Sequence, residues 1–132
     1  MLDEAGQELR FNREILSTTL ENISAGVSVV DPDMRLVAWN RRYQQMFGYP
    51  DGMLYVGRPV ADLIRYNAER GEYGPGDPHE LAMGVVERAR HPSAHHFERT
   101  RPNGQTLEVR GTPLPDGGFV TIYTDVTERK AA

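Results

Sequence analysis

The spacing of apolar residues changes twice along this chain of 132 residues. Strand-like segments stand near the beginning and again near the end, and helical spacing fills the middle. Strands and helices therefore do not alternate one by one, as they would in a parallel sheet built from βαβ units. The pattern predicts an α+β fold with an antiparallel sheet. The two parts of this sheet are connected through the helices, which leaves a space between helices and sheet.

The opening segment predicts a hairpin followed by a short helix. Residues 26–31 and 35–39 have the composition of strands, and Pro32 between them favours a turn. Asn40 is a preferred N-cap residue for a helix at 41–47. The remaining segments are predicted as helices at 60–66 and 78–90, strands at 94–101, 106–114 and 119–125, and a last helix that begins at 127.

The segment before the first strand carries a helical pattern without proline. Its apolar residues recur at heptad spacing and include Leu2, Leu9, Leu16, Leu20 and Ile23. This spacing favours a dimeric coiled coil with contacts at Leu9, Leu16, Leu20 and Ile23, and the alternative is an amphipathic helix that packs on its own domain. The predicted organisation is a flanking helix at 1–24, a domain at 25–126 and the start of an output helix at 127–132.

Composition limits the partners and the compartment. The net charge of −4 argues against a nucleic-acid partner, which would favour a basic stripe. An uninterrupted apolar run of the length that spans a bilayer is absent from the sequence, so we expect no membrane insertion. The acidic beginning of the chain is unlike a signal peptide, and we expect a cytoplasmic protein.

Two stretches of this sequence resemble the ends of a PAS domain. The hairpin at 26–39, with Asn40 and a helix ending at Phe47, is similar to the opening of such a domain. The sequence Asp125-Val-Thr-Glu-Arg129 resembles the motif that closes many PAS domains and leads into an output helix. Residues 65–77 and 97–104 are similar to a subgroup that commonly stands upstream of histidine kinase or cyclic-dinucleotide modules in bacteria.

The resemblance implies a five-stranded antiparallel sheet with strand order 2-1-5-4-3 and helices on one face. It also implies a sensory and dimerisation module of a bacterial signalling protein, which we expect to be a histidine kinase. Such a module forms a homodimer through its N-terminal helix and passes signals to a C-terminal output domain, without catalysis of its own. The alternative is a small-molecule enzyme or ligand carrier on a related α+β fold.

Asp125, Thr127 and Arg129 are the predicted signal-relay residues. Asp125 and Arg129 are four residues apart across a junction between strand and helix, so the carboxylate can hold the guanidinium and fix the angle of the exit helix. By spacing alone, an exposed ion pair of little energetic weight is the favoured interpretation. The resemblance favours the signalling role.

Aromatic residues on several predicted elements are expected to point between the helices and the sheet. The candidate pocket consists of Trp39, Asn40, Tyr43, Phe47, Tyr66, Phe97 and Tyr123. Plain core packing is the default interpretation of these residues, and a pocket for a small organic ligand is the alternative. Arg65, Arg99 and Arg110 could recognise a carboxylate, although strand alternation favours solvent-facing positions for Arg99 and Arg110.

The sequence contains no recognisable set of residues for holding a cofactor or for catalysis. There is no cysteine, which excludes thiolate metal sites, a cysteine nucleophile and a cysteine adduct with flavin. His79 and His91 lie at the ends of a predicted helix, and His95 and His96 face opposite sides of a strand, so neither haem nor a metal is favoured. No serine stands in a nucleophile-elbow motif and no phosphate-binding loop is present. We expect neither a cofactor nor an enzyme.

Overall fold

The computed structural model of the protein describes residue 15 and the ranges 18–90 and 93–131. Within these ranges the strands are β1 (Gly26–Val30), β2 (Leu36–Trp39), β3 (His95–Thr100), β4 (Thr106–Pro113) and β5 (Phe119–Asp125). The helices that follow the first hairpin are α1 (Arg41–Phe47), α2 (Val60–Glu69), α3 (Pro78–Ala89) and α4 (Thr127–Ala131). Residues 18–22 are helical as well.

The described strands form one antiparallel sheet with the order β2-β1-β5-β4-β3, which confirms the order that the resemblance to PAS domains implied. The central pairing joins the two ends of the chain, because β1 lies beside β5 with Gly26 opposite Tyr123. The neighbouring ladder places Tyr123 opposite Val109 on β4. Side chains alternate between the two faces of a strand, so Gly26, Val109 and Tyr123 share the face that carries the helices.

The predicted cap fixes the first helix. The Asn40 side chain accepts a hydrogen bond from the backbone N–H of Tyr43, which satisfies one of the free donors at the start of α1. The helix ends at Gly48, whose φ of 65° is in the left-handed region that glycine adopts without strain. Gly26 lets α1 approach β1 closely, since a Cβ there would lie 3.1 Å from the Cα of Tyr43.

Two apolar clusters hold the helices on the sheet. The larger one packs α1 and the following loop against β2 and β4, and its buried members are Leu36, Tyr43, Phe47, Tyr49, Leu54, Leu63, Leu107 and Val109. The smaller one packs α2 on α3 through Ile64, Ala68 and Ala82. The predicted helix at 60–66 is extended to Glu69 in the structure, because Ala68 belongs to this second cluster.

The flanking helix of the sequence prediction is described only in part. Leu2, Leu9 and Leu16 lie outside the described residues, Leu20 is half-buried and Ile23 is 36% exposed. None of the helices in the described ranges combines the length and the apolar character needed to cross a membrane.

Candidate functional site

The junction between β5 and α4 is organised by Asp125 and Thr127. One carboxylate oxygen of Asp125 accepts hydrogen bonds from both the hydroxyl and the backbone N–H of Thr127. The Thr127 Oγ1 in turn accepts a hydrogen bond from the backbone N–H of Thr106 at 2.9 Å. The hydrogen bond from the Thr127 hydroxyl, followed by that from its N–H, lowers the pKa of Asp125. The first residue of α4 is therefore tied to the end of β5 and to the beginning of β4.

The predicted ion pair between Asp125 and Arg129 is absent from this arrangement. The Asp125 oxygens are engaged by Thr127 and by Gln105, whose Nε2 donates to Oδ2 at 3.1 Å. Arg129 is directed to Glu108 at 3.4 Å and Glu98 at 3.7 Å, which lie on the face of the sheet away from the helices. The spacing rule failed because the chain changes from strand to helix between Asp125 and Arg129, so the two do not share one helical face.

A polar chain leads from this junction to the helical side of the domain. Gln105 Oε1 accepts a 2.7 Å hydrogen bond from Nη1 of Arg101. The other two nitrogens of the Arg101 guanidinium bind the Glu72 carboxylate in a bidentate manner, each at 2.9 Å. Both side chains are only 7% exposed. Glu72 lies in the loop between α2 and α3, so the chain connects that loop to the exit helix.

Arg101 is held rigidly by further partners on α1. Its Nη1 also donates to the carbonyl oxygen of Met46 at 2.7 Å, and its guanidinium lies over the Phe47 ring at 4.9 Å. A buried guanidinium with charged, polar and aromatic partners in fixed positions has little freedom to adopt a second geometry. A shift of Glu72 or of α1 would therefore displace the Arg101 guanidinium.

Glu72, Arg101 and Gln105 were not identified from the sequence. Arg101 and Gln105 flank the predicted Asn103-Gly104 turn, and that closeness was the available signal for their contact with each other. Glu72 is 29 residues away in a glycine-rich loop, where nothing in the sequence indicates a partner.

One of the arginines expected to face solvent lies on the helical side instead. Arg99 is opposite Leu107, a fully buried residue, so its side chain projects toward the helices. Its Nη2 is 3.5 Å from Glu72 Oε2, and its guanidinium lies 5.9 Å from the centre of the Tyr73 ring. Arg110 and Arg65 are exposed. The expectation for Arg99 was wrong because Phe97, two residues before it, lies on the helical face, and alternation puts Arg99 on that same face.

Most of the candidate pocket residues pack against one another. The ring centres of Tyr43 and Phe47 are 5.3 Å apart, and the Tyr123 ring lies 5.6 Å from Tyr43 and 5.1 Å from Phe47. Half-buried Trp39, Tyr66 and Tyr123 surround the buried cluster. Burial raises the pKa of Tyr43 and of Tyr123, which keeps both phenols neutral. These rings occupy the space between helices and sheet in which a ligand pocket was considered.

Asn40 uses its whole hydrogen-bonding capacity inside the protein. Its Oδ1 accepts from the N–H groups of Val27 and Tyr43, each at 3.0 Å. Its Nδ2 donates to the carbonyl oxygens of Leu20 and Ala25, each at 2.8 Å. With only 1% of its surface exposed, Asn40 joins the N-terminal helical segment, β1 and α1, and it has no free donor for a ligand in this arrangement.

Phe97 does not belong to the aromatic cluster, contrary to expectation. It is 47% exposed and lies 5.5 Å from the His95 ring, near the outer edge of the sheet. Alternation gave it the correct face, opposite Val109, but β3 is an edge strand and the helices do not cover this part of it. Phe97 therefore cannot line a pocket with the other six residues.

The described histidines are separated. His95 lies on the helical face beside Phe97 and Phe119, whereas His96 is 3.5 Å from Glu108 on the opposite face. This confirms the prediction that adjacent strand residues point apart. His91 lies outside the described residues, and among those that are described no three His, Cys, Asp or Glu side chains are grouped as metal ligands would be.

Comparisons with known proteins identify the family. A family model described as the PAS fold matches residues 20–132. The PAS domain of BvgS from Bordetella pertussis is similar in structure, with a TM-score of 0.67 at 16% identity over 92% of this chain and 90% of that one. A domain of the sensory box sensor histidine kinase/response regulator from Geobacter sulfurreducens gives a TM-score of 0.54 at 21% identity, over 89% of this chain and 96% of that one. No curated protein matches the chain. Because the family match covers most of its length, and the sheet order and helical face are those expected for the fold, the chain belongs to the PAS fold family.

Proposed function

We propose that this PAS domain is a sensory and dimerisation module of a bacterial signal-transduction protein. In this proposal, a change on its helical side is relayed to the helix that begins at Thr127 and from there to a C-terminal output domain. The output domain is proposed to be a histidine kinase, which the resemblance of residues 65–77 and 97–104 to a PAS subgroup supports. The domain itself carries no catalysis in this proposal.

The observation that carries the proposal is the polar chain from Glu72 through Arg101 and Gln105 to Asp125. Each step is a direct hydrogen bond of 2.7–3.1 Å, and the bond between Arg101 and Glu72 is bidentate and charged on both sides. Hydrogen bonds of this kind are geometrically restrictive, so their members move together. A displacement of the loop after α2 would therefore alter the position of the Asp125 carboxylate.

Asp125 in turn controls how the exit helix leaves the sheet. α4 begins at Thr127, and the Thr127 hydroxyl bridges the carboxylate of Asp125 and the N–H of Thr106. If the carboxylate moved, the bridge would open and the start of α4 would lose the one of its attachments to β4 that passes through the Thr127 hydroxyl. A relay requires that the start of the helix can adopt two arrangements and that a distant loop changes the balance between them.

The N-terminal helical segment supplies the proposed dimer contact and a second input. The heptad residues favour a coiled coil between two copies of the chain. Asn40 connects this segment to the domain, since its Nδ2 donates to the carbonyl oxygen of Leu20. A rotation of the dimer helix would displace the Asn40 side chain, and with it the start of α1, because Asn40 Oδ1 accepts a hydrogen bond from the N–H of Tyr43.

A double-mutant cycle between Glu72 and Asp125 tests the relay. Glu72→Gln removes one charge at the helical end, and Asp125→Asn places an amide donor against the Nε2 of Gln105 at the other end. We expect the two changes to be non-additive in urea unfolding, with a coupling free energy of at least about 0.5 kcal/mol. The residues are not in contact, so a coupling that persists at a salt concentration that screens their direct charge repulsion would have to pass through Arg101 and Gln105.

Asp116 provides the matched control. Its Oδ1 accepts a 2.8 Å hydrogen bond from the N–H two residues further on, as Asp125 does, but it lies in the turn between β4 and β5. Glu72→Gln and Asp116→Asn should be additive within about 0.3–0.5 kcal/mol. Additivity of the Glu72–Asp125 pair to the same degree would reject the relay.

A further inference from the structure

An open cleft of about 710 Å³ lies between the loop after α2 and the end of β3. Tyr73 and Pro75 line it from the loop, and Pro102 lines it from the turn after β3. Arg88 on the last turn of α3 and Arg99 on β3 complete its walls. The cleft is separate from the aromatic cluster under the sheet, and its volume is in the range of small-molecule sites.

The charge of this cleft is opposite to that of the whole chain. Of the residues that the structure describes, Arg88, Arg99, Arg101 and the acidic Glu72 are the charged residues that line it, whereas the chain carries a net charge of −4. The Glu72 carboxylate is occupied by Arg101 in a bidentate pair at 2.9 Å, and this pair neutralises itself. Arg99 and Arg88 remain as the positive charges that face the opening.

Neither of these two guanidinium groups has its full set of partners. Arg99 approaches Glu72 only at 3.5 Å, and 26% of its side chain is exposed. Arg88 is exposed and has no ion-pair partner within the described residues. A planar guanidinium with free donors matches the two oxygens of a carboxylate, and a partly enclosed cleft strengthens that interaction relative to open water.

We propose that this cleft binds small organic carboxylates that have a short aromatic or apolar body. The carboxylate is held between Arg88 and Arg99, and the body lies against Tyr73, Pro75 and Pro102. The binding itself does not depend on the proposed relay. It adds a ligand class to the proposed relay. A bound carboxylate that attracts Arg99 would weaken the contact of Arg99 with Glu72, and Glu72 is the first member of the polar chain.

Calorimetric titration of the purified chain with sodium benzoate at constant ionic strength tests this assignment. Benzoate should give saturable binding at millimolar concentration, and benzamide, which has the same ring without the charge, should give none. Arg88→Gln with Arg99→Gln should weaken benzoate binding by about tenfold, a difference of about 1.4 kcal/mol. Arg65→Gln with Arg110→Gln removes two exposed arginines outside the cleft and should change the affinity by less than about twofold.

Three outcomes would overturn the assignment. They are the absence of saturable benzoate binding, equal binding to the two double variants, and binding of inorganic phosphate as tight as that of benzoate, which would leave no role for the apolar walls. Should Arg99→Gln impair folding, Arg88→Gln alone changes an exposed side chain and should still weaken binding about threefold. The titration and the Glu72–Asp125 cycle can fail independently, because the first measures affinity at the cleft and the second measures coupling in the absence of ligand.

Discussion

At the scale of single residues, Gly111 shows how closely the uncovered end of the sheet is packed. It lies opposite His95 in the β3–β4 ladder. A Cβ at this position would lie 2.4 Å from Nε2 of His95 and 2.7 Å from a ring carbon of Phe119. Atoms do not approach so closely, so the two rings stack over β4 because position 111 has no side chain.

Gly111→Ala is therefore expected to destabilise the domain. The His95 and Phe119 rings would have to move apart, at a cost of about 1–3 kcal/mol in the free energy of unfolding by urea. Gly84→Ala is the matched control, because a Cβ on this helical residue would meet only Arg88, at an ordinary 3.6 Å, and alanine should stabilise α3 by up to about 1 kcal/mol. His95→Ala should recover part of the loss in the Gly111→Ala protein. A Gly111→Ala protein as stable as the parent would contradict this account.

Asn40 and Phe97 show which properties of a single residue could be predicted from the sequence and which could not. The cap role of Asn40 was predicted because it depends on the three residues that follow. Its bonds to Leu20 and Ala25 join segments 15–20 residues away, and the residue type alone does not indicate such partners. Phe97 was assigned to the correct face of its strand but to the wrong environment, since alternation does not reveal which part of a face the helices cover.

At the scale of elements, the strands and helices were largely predictable and their ends less so. Turn residues such as Pro32 and Gly104, and caps such as Asn40, mark the ends of elements by their own chemistry. The relation between elements was harder to predict. The pair of Asp125 and Arg129 was inferred from helical spacing, but the strand–helix junction placed Arg129 beside Glu98 and Glu108.

The N-terminal helix carries the prediction that belongs to this scale. Leu16→Glu introduces a charge into the proposed dimer contact and should convert a dimer into monomers, with at least about a tenfold weaker association in analytical ultracentrifugation. Thr18→Glu adds the same charge at an exposed position outside the heptad set and should leave the dimer intact. If the unmodified chain sediments as a monomer at high concentration, or if both variants remain equally dimeric, the coiled coil is wrong.

At the scale of the whole molecule, the helices that enter and leave the domain are attached to it side by side. β1 and β5 are neighbours in the centre of the sheet, so the helix that enters before Gly26 and the helix that leaves after Asp125 start from adjacent strands. Asn40 attaches the first and Thr127 the second. Glu72, in the loop after α2, is connected to the exit by its buried ion pair with Arg101 and by the hydrogen bonds of Gln105 to Arg101 and Asp125.

This long-range organisation was the least predictable part of the protein. The strand order followed from the resemblance to a family, and the structure confirms it. The pairing of Glu72 with Arg101 depends on how the loop after α2 lies across the end of β3, and this is determined by the packing of the complete domain. A single sequence contains no local signal for such a contact.

The central claim is that Asp125 transmits the state of the domain to its output, and the most direct test is made in the signalling protein that carries the domain. Asp125→Ala should remove the anchor of the Thr127 hydroxyl, which bridges α4 and β4, and fix the output at one level, so that the ratio of stimulated to resting activity falls at least about fivefold. Asp116→Ala, which removes an equivalent hydrogen bond in the turn before β5, should change this ratio by less than about twofold. A ratio that Asp125→Ala leaves unchanged, or that Asp116→Ala lowers equally, would contradict the relay.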